Sequence, residues 1–173
     1  MKYVALAALV ILAAFIGLSV WQFGLQKSYS SYAQKWKERY PIHNTNIWSV
    51  VTAAVAILMA IAFIAKLDGN PLQCLGFLAP AYLGVVACTP EYQKSSGQAL
   101  AHYLGTSCSA LAFLSLVIFG MKLWWLPLTC AGGFFLLLGL PTRSVKQSWA
   151  LWLECAVFTT AFIVLFCKTP IGG

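Results

Sequence analysis

Acidic side chains are nearly missing from this chain: four in 173 residues, at Glu38, Asp68, Glu91 and Glu154. Histidine is rarer still, with His43 and His102 alone. This shortage excludes several kinds of chemistry at once. No H-E-x-x-H, G-x-S-x-G, Walker loop or Cys–His nucleophile arrangement occurs. A three-histidine metal hydrolase is excluded by count, and any metal site would need His43, His102 and Glu154 to converge. No metal and no cofactor is therefore expected. The six cysteines contain no C-x-x-C and lie within or beside apolar runs, so they read as small apolar groups. A detectable internal repeat is also lacking, which disfavours a small transporter.

What is present is apolar. Hydrophobic residues make up 61% of the chain and charged residues 9%, with a mean hydropathy of +0.81. Globular domains hold roughly 45–50% apolar residues. A soluble domain of this length could not bury such an excess, so the solvent must be largely lipid. The net charge of +7 is scattered over short polar breaks and not gathered on one face, which argues against a nucleic-acid partner.

Six apolar runs cover about 3–24, 46–65, 72–88, 98–120, 123–140 and 149–167. At 1.5 Å per residue each reaches most or all of the way across a hydrocarbon core of roughly 30 Å. The expected fold is a single-domain, all-α polytopic membrane bundle of about six transmembrane helices. The first run follows Lys2 and is longer than a signal-peptide core, so it reads as a retained span. Between runs one and two, Tyr29, Tyr32, Trp36 and Tyr40 mix with four cations, which suits the headgroup zone and a short interfacial helix at 31–40. Asn46 is among the N-cap candidates for run two, and Gly69 with Pro71 makes a tight hairpin turn. Pro80 and Pro127 bend or shorten runs three and five. Gly84, Gly105, Gly120, Gly132 and Gly133 read as packing sites, and the tryptophans at run ends as an aromatic belt.

Seven cations fall on the odd connections against four on the other side. The positive-inside rule then places the odd connections in the cytoplasm, and the expected location is a bacterial inner membrane. The remaining ionisable groups also gather on the odd side. His43 and Asn44 enter run two there, Glu91 and His102 flank the third connection, and Arg143 precedes run six. Glu154 lies about five residues, or roughly 8 Å, inside run six. His102 lies at a similar depth, and His102, Gly105, Thr106 and Ser109 share one helical face. A carboxylate at that depth must face protein and find a partner. His102, Glu154, Glu91, His43, Asn44 and Arg143 are thus the candidate polar pocket. His102 and the loop cations are the expected partners of Glu154.

The segment Gly84 to Thr89-Pro90, followed by His102-Tyr-Leu-Gly and Ala110, resembles the third loop and fourth-helix entry of the Frag/DRAM/Sfk group of six-span membrane proteins. The last run, Trp152-Leu-Glu154-Cys-Ala-Val-Phe158, is similar to that group's final span. Tyr40-Pro-Ile-His-Asn departs from the acidic, glycine-rich first loop of the eukaryotic members. The resemblance implies both termini in the cytoplasm, opposite to the charge count, and a role in lipid handling without an established reaction. Two functions follow as expectations. One is a non-enzymatic protein that binds membrane lipid or a membrane-protein partner through the pocket. The other is a lipid-modifying enzyme using Glu154 and His102 as an acid/base pair.

Overall fold

A computed structural model describes residues 2–41, 46–90, 93–139 and 147–167. The described residues are helical, with no strand among them. The helices are α1 (Lys2–Phe23), α2 (Ser31–Arg39), α3 (Ile47–Lys66), α4 (Gln73–Ala87), α5 (Ser96–Ser115), α6 (Trp125–Gly139) and α7 (Trp149–Phe166). A π-turn at Leu116–Gly120 extends α5. Each apolar run is a helix, with ends within a few residues of those expected. Three of them are long and apolar enough to cross a membrane: Lys2–Phe23, Ile47–Lys66 and Ser96–Gly120. Gln73–Ala87 and Ala150–Phe166 are apolar but shorter.

Outward-facing apolar side chains run along these helices, including Leu6, Val10, Ile57, Ile61, Leu104 and Leu111. Such a surface suits a lipid solvent and not water. The inner contacts form a chain of neighbours. α1 packs on α3, α3 on α4 and α4 on α5, while α7 packs mainly on α6 and α1.

The turn between α3 and α4 closes as its residues require. Gly69 has φ +72°, where a side chain is disfavoured, and the Asn70 amide donates to the Leu67 carbonyl at 2.9 Å. α5 approaches α4 closely because Gly105 has no side chain. A Cβ there would lie 3.2 Å from the Tyr82 carbonyl oxygen and 3.1 Å from Val86 Cγ2. Gly120 is likewise crowded, by Leu72. Gly84, Gly132 and Gly133 meet nothing within 4 Å, so the packing role expected for them is not the one they have.

Pro80 stays inside α4, where the ring removes one helical donor. Across the interface Ser109 Oγ donates to the carbonyl of Ala79 at 2.7 Å, adding a bond between helices at that break.

The first connection differs most from its sequence reading. Its aromatic side chains are packed against protein: Tyr29, Tyr32 and Trp36 are buried. Each has a polar handle and finds a protein partner for it. Trp36 Nε1 donates to Ser19 Oγ of α1 at 2.8 Å, and its ring stacks on Phe15 at 5.3 Å. Tyr32 Oη donates to the Gly24 carbonyl at 2.9 Å. Among the tryptophans, Trp21, Trp124 and Trp125 are exposed as a belt requires, whereas Trp36 and Trp48 are core.

Asn46 ties this connection to α3. Its Oδ1 accepts from the Trp48 amide at 3.0 Å, and its Nδ2 donates to the Ala33 carbonyl of α2 at 3.0 Å. Asn46→Ala removes an N-cap and the side-chain bond that ties it to α2, so the expected loss is about 2 kcal/mol. Thermal unfolding in detergent measures it, and an unchanged midpoint would refute the double role.

Candidate functional site

The site is built where α7 stands across from α4 and α5. A cavity of about 190 Å³ occupies the gap. Its walls are Ala79, Pro80, Leu83 and Val86 of α4, with Thr106, Ser109, Ala110 and Phe113 of α5. Trp48, Met59 and Phe63 of α3 form its back, and Leu153, Val157, Phe158 and Ala161 of α7 face them. His102 and Glu154 both line this space, with Tyr29 and Ser30 at the loop end.

His102 sits in the second turn of α5 and is 4% exposed. Its Nδ1 lies 3.1 Å from Thr89 Oγ1. The single Thr89 hydroxyl proton is directed to the Val86 carbonyl, 2.9 Å away. The hydroxyl oxygen is then the acceptor and His102 Nδ1–H the donor. Thr89 thereby holds the imidazole plane against the end of α4. The carbonyl of His102 receives the Thr106 hydroxyl at 2.9 Å.

Glu154 has a different anchor. Its Oε2 accepts the backbone N–H of Tyr29. Three residues earlier on α7, the Leu151 amide donates to the Lys27 carbonyl at 3.0 Å. These two bonds strap the first connection to the start of the last helix. At the other end of α7, Lys66 Nζ donates to the carbonyl of Cys167 at 2.6 Å, which closes the helix C-terminus.

The partner seen for Glu154 is a main-chain amide, while the loop cations Arg143 and Lys146 expected beside it lie outside the described residues. Among the described residues the ion pair is Lys35–Glu38 on the exposed face of α2, and Glu154 meets a backbone amide. A backbone donor satisfies a carboxylate oxygen without the cost of burying a second charge. Oε1 of Glu154 has no hydrogen-bond partner among the described residues.

Two further groups matter and are not evident from composition. Trp48 is 0% exposed, lines the cavity, and its indole N–H has no acceptor among the described residues. Buried indole N–H groups ordinarily find one. Tyr29 Oη donates to Thr52 Oγ1 at 2.9 Å, since the Thr52 hydroxyl is directed to the Trp48 carbonyl at 2.7 Å. Burial pushes the Tyr29 phenol well above its ordinary range, although the Thr52 bond opposes this, and the nearby Glu154 adds to it. The phenol thus remains a donor. The position of Trp48, two residues after the Asn46 cap at the start of an apolar run, is the only sequence signal for its role.

Of the candidate residues, the cavity brings together His102 and Glu154. His43, Asn44, Glu91 and Arg143 lie outside the described residues. No group of three or more His, Cys, Asp or Glu side chains that could hold a metal occurs among the described residues. No family model, curated protein or solved structure matches this chain.

Proposed function

We propose that the protein is a six-span integral membrane protein that binds an amphiphile, of the size and chemistry of a membrane lipid or a fragment of one, in the α3–α4–α5–α7 cavity. One observation carries this reading. A mostly apolar cavity ends in a carboxyl group with one oxygen unpartnered, and in an indole N–H without an acceptor, among the described residues. Ligand sites in general are apolar hollows with a few polar groups that fix orientation. The six-span count rests on the six apolar helices α1 and α3 to α7, with the shorter ones crossing by local thinning or protein contact.

Acid/base catalysis by His102 and Glu154 has less behind it, because each is fixed by its own partner and no shared bond joins them. Binding without reaction is the reading we adopt. The cavity is tested by filling it. Ala110→Phe and Thr106→Leu, on the α5 wall, are expected to reduce co-purifying lipid at least fivefold in native mass spectrometry with lipid analysis. Retained lipid in both folded variants would exclude this cavity as the site.

A further inference from the structure

The unsatisfied groups of the cavity indicate the charge of what enters it. Glu154 has no cation within ion-pair distance among the described residues, and one of its oxygens is unused. Beside it stand three aromatic rings that line the same space. Tyr29 and Trp48 have ring centroids 5.4 Å apart, and Tyr29 and Phe158 are 6.0 Å apart. A carboxylate next to clustered aromatic faces is the chemistry that holds organic ammonium ions, through charge and the ring quadrupole together. A metal cation or a small hydrated ion would find few oxygens here.

We propose that the cavity is a receptor for an alkylammonium head group. The ammonium would sit between Glu154 and the rings of Tyr29, Trp48 and Phe158, with its apolar tail along Leu83 and Val157. This deepens the preceding reading and rests on it. The volume agrees with a head group. An apolar cavity of about 150 Å³ holds a benzene molecule, so about 190 Å³ accepts a substituted ammonium but not a whole two-chain lipid. The remaining chain leaves along the apolar helices. The unpaired Trp48 N–H supplies a donor for an acceptor atom close to the ammonium, such as a phosphate or ester oxygen.

The chemistry could come from a zwitterionic lipid or from a free amphiphilic amine, and one experiment separates them. The full chain in dodecyl maltoside is titrated with dodecyltrimethylammonium, dodecylphosphocholine or dodecanol, and 1:1 adducts are read by native mass spectrometry. At least one ammonium amphiphile is expected to bind about tenfold or more tighter than dodecanol. Glu154→Gln keeps an acceptor for the Tyr29 amide and is expected to remove that advantage. A preference for dodecylphosphocholine that Trp48→Phe abolishes assigns the head group to a lipid. Equal binding of both ammonium compounds assigns it to an amine. If Glu154→Gln fails to fold, Phe158→Leu serves, with weaker ammonium binding at unchanged dodecanol binding. Equal adducts of all three compounds would overturn the ammonium assignment and leave the amphiphile cavity intact. Absence of all three adducts on folded protein would overturn both.

Discussion

Gly105→Leu is expected to lower stability by about 3 kcal/mol, the upper part of the range for overpacking a tight contact. The reason lies in what surrounds the position. Three α4 atoms would crowd the new Cβ, and one of them, the Tyr82 carbonyl oxygen at 3.2 Å, is backbone and cannot rotate away. Relief requires moving α5 from α4, which also breaks the Ser109–Ala79 bond and shifts His102 from Thr89. Gly84→Leu is the control, because nothing lies within 4 Å of its added Cβ. Its effect should stay within about 0.5 kcal/mol. Thermal unfolding of both variants in the same detergent decides the matter, and equal midpoints would show that the interface is looser than its geometry.

Glu154→Ala should open the first connection. The substitution leaves the Tyr29 amide without an acceptor, at a cost of about 1–3 kcal/mol. The single Leu151–Lys27 bond must then hold the strap. Lys27 is exposed and becomes cleavable once its backbone leaves α7. Trypsin cleavage after Lys27 is expected to accelerate about tenfold or more, since local opening sets the rate. Glu38→Ala is the comparison, because among the described residues that carboxylate meets Lys35 and Gln34 on the surface of α2. A strap that stays uncut at the wild-type rate in Glu154→Ala would mean the carboxylate does not hold it.

Both experiments probe features that the sequence reveals unequally. Helix positions were legible because lipid demands long apolar runs, and the polar breaks between them are sharp. The shared face of His102, Gly105 and Ser109 followed from helical spacing, and the contact of that face with α4 agrees with it. The partners of the polar groups were not legible. Glu154 is bound by a main-chain amide 125 residues away, and every residue but proline carries such an amide. The burial of the first connection's rings was not legible for a related reason. Tyrosine and tryptophan suit a headgroup zone and a polar-capped core equally well, and only the placement of Ser19 and Thr52 on neighbouring helices decides between them.

The strap also constrains biogenesis. A chain made and inserted from its N-terminus presents α1 and the first connection early, but the α7 partner of Tyr29 emerges 125 residues later. Until then the Tyr29 amide and the Lys27 carbonyl have no α7 acceptor or donor, and the cavity lacks one wall. Side-by-side assembly of α3, α4 and α5 needs no such delay, because their contacts are between consecutive helices. Maturation is therefore a two-stage affair: a local hairpin stack first, then a long-range closure set by arrival of α7. A nascent chain ending before Trp149 would carry the stack but neither the strap nor the α7 wall of the cavity, so the chamber takes shape only when α7 arrives.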